Sequence, residues 1–368
     1  MTTRRGGPLP PARASDKLAA AMGPEAFDYV LPPEQIAQTP ATRRGDSRLL
    51  VCTGSTPVHA HTRDVTEHLP ADALVVVNAS RVVPARLFAD REDGRRFELL
   101  LADPAPSQGV GATVRAWVRG AKKLKPGQVL RAGTLALRHE GPDAVDPRAR
   151  RFEVIEGEVV PALHAHGQLP LPPYIARPEG PDHADRERYQ TVYASKEGSV
   201  AAPTAGLHFD QAQLASLDVV ELLLHVGPGT FLPMDVEDVT EHRVGAERIE
   251  ITESAAARIE QARAQGRPIV AVGTTSTRAL EGIAAAHGGR VVPTTETTDL
   301  VITPGFDFQV ITHLMTNFHL PRSSLLMLVC ALAGRGRVLQ WYGEAVREGY
   351  RFYSYGDCML VARGEQGT

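Results

Sequence analysis

The sequence predicts an α/β protein: a domain built on a mostly parallel sheet, carrying a small inserted β-barrel domain. Three observations lead there. After about residue 185, short apolar runs alternate with helix-period segments, as in proteins whose helices cover a sheet. Between about residues 75 and 160, short runs recur without any helical pattern, separated by Gly, Pro and Asp clusters, as in a small barrel or sandwich. The length of 368 residues, 43% of them hydrophobic, is enough for two domains with a real core. The expected organisation is a disordered basic tail over 1–24, a discontinuous α/β domain from 25–74 and 171–368, and a barrel domain over 75–170.

Taken in order, "RLLVCTG", "ALVVVNAS" and "ARLFA" are apolar runs bounded by turn residues and read as strands. "RFELLLA", "TVRAWVRG", "QVLRAG", "TLALRHE" and "RRFEVIEG" continue the β pattern. "QLPLPPYIARPEGPD" is too rich in proline for a helix interior and suits an extended crossing between domains. "VVELLLHV" and "PIVAVG" are near-continuous apolar runs, as expected for strands buried on both faces. "TESAAARIEQARAQG" is a helix with a threonine cap and a terminal glycine, and "TTSTRALEGIAAAHGG" is a second capped helix. "RSSLLMLVCALAG" is a helix apolar nearly all round, with Pro321 fitting its first turn.

Composition excludes several function classes. A formal net charge of -3 gives no global attraction to nucleic acid or anionic membrane, though a local basic patch remains open. No apolar run approaches the roughly 18 residues of a membrane span, and the N-terminus lacks the apolar core of a signal peptide. Cys52, Cys330 and Cys358 are widely separated with apolar neighbours, which points to buried thiols in a reduced, cytoplasmic chain. There is no C-x-x-C, no H-E-x-x-H and no G-x-G-x-x-G after a strand, so neither a metal nor a Rossmann dinucleotide is expected.

Ligands of open α/β sheets collect at the carboxyl ends of strands, and three strand ends here carry unusual loops. "HVGPGTF" has Gly227, Gly229 and Thr230, where small residues let the backbone approach a ligand. "VGTTSTRALE" places Thr274, Thr275 and Ser276 at a helix start, with Arg278 beyond. Amides and hydroxyls there suit a carboxylate or phosphate, and the hydroxyls serve equally as helix caps. "MTNFHLPRSS" offers Asn317 as donor and acceptor, Phe318 as a stacking face and His319 as acid, base or donor. A histidine so placed is more often a satisfied structural residue. "GSVAAPTAGLHF" holds His208, with Tyr193 upstream in "RYQTVYA"; it reads either as a packed loop or as a lid over substrate. Arg119, Lys122, Lys123 and Lys125 in "RGAKKLKPG", with Arg81 and Arg86 nearby in sequence, form the strongest basic cluster, either a solvated hairpin or an RNA-contacting edge.

Taken together these motifs resemble the S-adenosylmethionine:tRNA ribosyltransferase-isomerase family of the queuosine pathway. The resemblance runs from "FDYVLPPEQIAQTPATRRGDSRLLV" to "YRFYSYGDCMLV" and includes "LPLPPYI", "RYQTVYA", "GSVAAPTAGLHF", "LHVGPGTFLP", "VGTTSTRALE" and "TNFHLPRSSLLMLV" in order. It implies an α/β domain with an inserted β-barrel, and transfer of the ribosyl part of S-adenosylmethionine to 7-aminomethyl-7-deazaguanine at the tRNA wobble position. Epoxyqueuosine forms while adenine and methionine leave. S-adenosylmethionine is then a co-substrate, no cofactor is expected and tRNA is the partner; the sequence leaves the oligomeric state open, with a monomer favoured. The sulfonium acidifies the adjacent 5′ protons, so a base is needed: His208, His242 or Glu247. His319 or Asn317 is expected to meet departing adenine, the Thr274–Ser276 helix start the methionine carboxylate, and Phe318 or Tyr193 the modified base. Two positions depart from the family pattern. Asn78-Ala79-Ser80-Arg81 stands where Asn-Asp-Thr-Arg is usual, and "EHRVGAE" has Gly245 in place of a second histidine. These leave open a paralogue acting on another nucleoside, or a silent RNA-binding relative.

Overall fold

The computed structural model describes residues 22–105, 108–231 and 234–364, with Thr230 and Phe231 described by backbone alone. The expected tail thus falls outside the described residues as far as residue 21. Pro24–Phe27 already forms a 3-10 turn whose Phe27 is buried in the main core.

Nine strands form one large sheet. Their order is Thr294–Thr298, Glu247–Ile251, Asp218–Leu224, Leu74–Asn78, Ile269–Val272, His313–Asn317, Cys358–Ala362, Arg48–Cys52 and Val58–His61. The four strands from Asp218–Leu224 to His313–Asn317 run parallel. Both flanks bring antiparallel pairs, so the sheet is mixed where the sequence suggested mostly parallel. Apolar runs do not encode strand direction; the connections do. Glu247–Ile251 follows Asp218–Leu224 without an intervening α-helix, and two consecutive helices return the chain antiparallel after His313–Asn317. Leu74–Asn78, which the sequence reading gave to the inserted block, is instead a central strand of this sheet, buried along its whole length.

The longer helices α1 (Glu253–Ala264), α2 (Gly273–Ala286) and α3 (Ser324–Ala333) pack against the sheet, and α4 (Arg335–Arg347) packs on α3. In α1, Ala255, Ala256, Ile259 and Ala262 make one buried face, and Thr252 Oγ1 caps the start by accepting from Ala255 N. α2 is buried on nearly every side because it crosses from Ile269–Val272 over the middle of the sheet. Its hydroxyls do not cap it. Ser276 Oγ and Thr277 Oγ1 donate back to the carbonyls of Val272 and Gly273. Gly273 opens the helix at φ +88°, a conformation that a residue with a Cβ rarely takes. α3 starts after Pro321 rather than at it, with Ser323 Oγ accepting from Leu326 N.

Six antiparallel strands form a second sheet closed on itself: Ala149–Glu156, Thr113–Arg119, Arg96–Leu101, Arg86–Arg91, Val129–Ala132 and Leu135–Pro142. Alternate residues, including Leu87, Ala89, Phe97, Leu99, Val114, Ala116, Phe152 and Val154, fill its interior. The proline-rich crossing stays non-helical up to Asp182 and buries Leu169, Leu171 and Ile175 against Tyr189, Leu207 and Tyr355. Among the described residues no helix is long and apolar enough to cross a membrane.

Candidate active site

The parallel block brings the loops after Leu224, Val272 and Asn317 to the same end of the sheet. Antiparallel pairing then adds Glu247, because the start of its strand lies beside the carboxyl end of Asp218–Leu224. Glu247 Oε1 accepts from Gly227 N at 2.9 Å, and Oε2 accepts from Arg278 Nη1 at 2.5 Å. Arg278 reaches there from α2, with its Nε donating to Leu300 O and its Nη2 unpartnered. Both side chains of this ion pair are over nine-tenths buried, so either one alone would be an uncompensated buried charge.

This pair sits in the wall of a cleft of about 530 Å³ between the closed sheet and the large sheet. Arg115 and Trp117 line it from the closed sheet and Arg148 from the turn before Ala149–Glu156; Gly227, Gly229, His242 and Gly245 also line it. Burial, and then the charges of Arg148, Arg243 and Arg278, hold His242 below the usual imidazole range. At neutral pH it is therefore an uncharged imidazole, able to accept a proton.

A smaller recess of about 60 Å³ adjoins the cleft, with Leu325 in the walls of both. Its lining includes Thr274, Thr275, Asn317, His319 and Tyr353. Asn317 Nδ2 is shared among Tyr353 O (3.1 Å), Asp357 O (3.4 Å) and His208 Nε2 (3.1 Å). His319 Nε2 lies 2.9 Å from Thr316 Oγ1, and burial pushes its pKa down to about 3. His208 is 5% exposed and borders a separate small hollow with Arg44 and Tyr355; burial lowers it to about 4.

Comparison with known proteins identifies the family. A family profile described as "Queuosine biosynthesis protein" matches residues 24–361. A protein of Nitratidesulfovibrio vulgaris (strain DP4) named S-adenosylmethionine:tRNA ribosyltransferase-isomerase is 44% identical over 362 residues, covering 91% of this chain and 96% of its own. One of that name from Moorella thermoacetica is 46% identical over 347 residues, covering 92% and 99%. The chain belongs to the S-adenosylmethionine:tRNA ribosyltransferase-isomerase family. A crystal structure from Thermotoga maritima titled S-adenosylmethionine tRNA ribosyltransferase is 32% identical, covers 91% of this chain and 99% of its own, and has a TM-score of 0.49.

Within this member of the ribosyltransferase-isomerase family, the residues singled out by sequence do not share one cavity. Glu247, His242, Gly227, Gly229 and Arg278 line the cleft; Thr274, Thr275, Asn317 and His319 line the recess. The side chain of Thr230 lies outside the described residues. Ser276 is fully buried and bonded within its own helix. Phe318, expected as a stacking face, is a core residue instead, enclosed by Tyr342, Tyr350 and Phe352. Tyr193 packs beneath the 3-10 turn Thr204–His208; a Cβ on Gly206 would come within 1.9 Å of its hydroxyl oxygen. Phe318 thus offers no free face, and Tyr193 is partly buried against the core beside Ala205 and Phe209.

The basic residues also divide. Arg81 Nη2 donates to Ala194 O, and Arg86 is held by Leu171 O and Glu98, so both are spent on internal contacts. Arg119 is 87% exposed and 3.6 Å from Glu98, while Lys122, Lys123 and Lys125 are exposed beside it. Of the two departures from the family pattern, Ala79 is buried and its carbonyl accepts from Ser195 N. A Cβ at Gly245 would meet nothing within 4 Å, so a larger side chain there has free space at the cleft wall.

The sequence reading missed Arg115, Trp117 and Arg148. For the first two a signal exists: along Thr113–Arg119 they alternate with Val114 and Ala116, which face the interior of the closed sheet. Trp117 Nε1 donates to Asp146 Oδ2 at 2.7 Å, which fixes the indole on the cleft wall. Arg148 lies in a turn with no pattern to mark it. Among the described residues no three His, Cys, Asp or Glu side chains are grouped closely enough to hold a metal ion.

Proposed function

We propose that this chain transfers and isomerises the ribosyl moiety of S-adenosylmethionine onto 7-aminomethyl-7-deazaguanine at the tRNA wobble position, giving epoxyqueuosine, adenine and methionine. The observation that carries this reading is the cleft itself: a nucleoside-sized space joining the two sheets and walled by the buried Glu247–Arg278 pair and a neutral His242. Family membership supplies the reaction class, and relatives bearing that name match over nearly their whole length.

In this reading His242 takes the 5′ proton that the sulfonium acidifies, being uncharged at neutral pH and on the cleft wall. Glu247 and Arg278 hold the sugar rigidly, since each is fixed by a second bond to the backbone, from Gly227 and to Leu300. Trp117 offers a flat apolar face to a base entering from the tRNA side. Lys122, Lys123 and Lys125 meet phosphates. The reaction needs no cofactor, and the protein acts in the cytoplasm.

The test is incubation of the protein with S-adenosylmethionine and tRNA carrying the aminomethyl base, followed by mass spectrometry of the nucleosides. Epoxyqueuosine is expected. Adenine release without a modified nucleoside would instead favour a paralogue with another acceptor, the reading that Gly245 and its open space suggest. Binding with neither product would mark a silent RNA-binding relative.

A further inference from the structure

The recess beside the cleft has a chemistry of its own. Its size is the first constraint. A single water needs about 10–15 Å³ of such space, so about 60 Å³ admits a group of a few heavy atoms and not a nucleoside. Charge is the second. No Asp, Glu, Lys or Arg lines it, and His319 is neutral near pH 7 because burial holds it at about 3. A lone anion or a lone cation would find no counter-charge there.

Hydrogen-bonding capacity is the third constraint, and it is two-sided. The first turn of the 14-residue helix α2 opens at the recess, and its leading amides have no intrahelical acceptors. Thr275 Oγ1, in that turn, is buried without a partner, unlike the hydroxyls of Ser276 and Thr277. Asn317 supplies the opposite polarity. Its amide nitrogen is turned toward the carbonyls of Tyr353 and Asp357, which accept only, so the orientation of the amide is fixed. Its Oδ1 is left as a buried acceptor with no donor. Tyr353 is held at φ +74°, a strained conformation for a tyrosine, and this places its carbonyl on the Asn317 nitrogen. Donors at one side, an acceptor at the other and a neutral wall fit a small zwitterion.

We propose that this recess is an α-amino-acid site: the carboxylate sits on the start of α2 and Thr275, the ammonium sits on Asn317 Oδ1, and Leu325 forms the threshold to the cleft. The site rests on the proposed reaction for the identity of its occupant, the methionine end of S-adenosylmethionine, whose side chain then passes Leu325 into the cleft. It follows that the released methionine still fits the recess and competes with the next S-adenosylmethionine.

Titration calorimetry of the full chain with L-methionine alone tests this, beside competition kinetics. Saturable binding is expected, with L-methionine raising the KM for S-adenosylmethionine. 3-(Methylthio)propylamine, lacking the carboxylate, and 4-(methylthio)butanoate, lacking the ammonium, should each bind at least about tenfold more weakly. Thr275→Val, which removes no existing hydrogen bond, should weaken L-methionine at least about tenfold and raise KM more than it lowers kcat. Unchanged methionine binding in Thr275→Val, or no methionine binding by a protein that still makes epoxyqueuosine, overturns the site and leaves the proposed reaction standing. Methionine binding that depends on Thr275, in a protein that makes no epoxyqueuosine, upholds the recess and overturns the reaction.

Discussion

His242 stands half-buried on the wall of a wide cleft among arginines, whereas His208 is sealed beneath Asn317 at 5% exposure. Both come from loop-like stretches of sequence, and burial lowers the pKa of both. The consequences differ. A neutral imidazole that reaches a cleft is available to a substrate; one enclosed by protein serves as an acceptor for Asn317 and holds the end of His313–Asn317 in place. Accessibility, more than basicity, separates the two.

The contrast is sharpened most by breaking the cleft. Arg278→Met should abolish detectable turnover and cost about 3 kcal/mol of stability by urea denaturation, since it strands a buried carboxylate. Adding Glu247→Leu should recover much of the stability and none of the turnover. If the double variant stayed as unstable as the single one, the pair would not be the source of the loss.

His242→Gln is expected next, lowering kcat roughly 100-fold while leaving the thermal midpoint nearly unchanged. His208→Ala should do the reverse. It removes one of the three acceptors shared by Asn317 Nδ2 and leaves a space where a buried imidazole was packed, costing about 1–3 kcal/mol, with turnover of the folded protein within a few-fold of normal. Exchanged outcomes would invert the assignment of the two histidines.

A smaller effect follows from acid. His208 is held at about 4 and His319 at about 3, against about 6.5 in an unfolded chain. Above neutral pH both are uncharged, folded or unfolded, and contribute nothing. As pH falls below about 6.5 the unfolded chain takes up protons that the folded one refuses, so stability drops progressively toward pH 4. Thermal melts across that range should show the decline, and a flat profile would mean that the sealed histidines protonate freely. The smallest expected change concerns the closed sheet: neutralising Lys122, Lys123 and Lys125 together should raise the KM for tRNA and flatten its salt dependence, with kcat preserved. Salt dependence equal to that of the unaltered chain would mark the lysines as solvated surface.

Much of this protein was determined by local sequence. Apolar runs between turn residues marked the strands, the threonine before "ESAAARIEQARA" marked the start of α1, and the run of odd, glycine-rich motifs marked the strand-end loops and the family. Those features depend on neighbours in the chain, which is why they can be read from it. Tertiary structure decided the rest. Only antiparallel pairing with Asp218–Leu224 brought Glu247 to Arg278, 31 positions away, and only packing against Tyr342, Tyr350 and Phe352 took Phe318 out of the site. Strand direction, side-chain burial and the sharing of one cavity are set by contacts between distant segments, and no local pattern carries them.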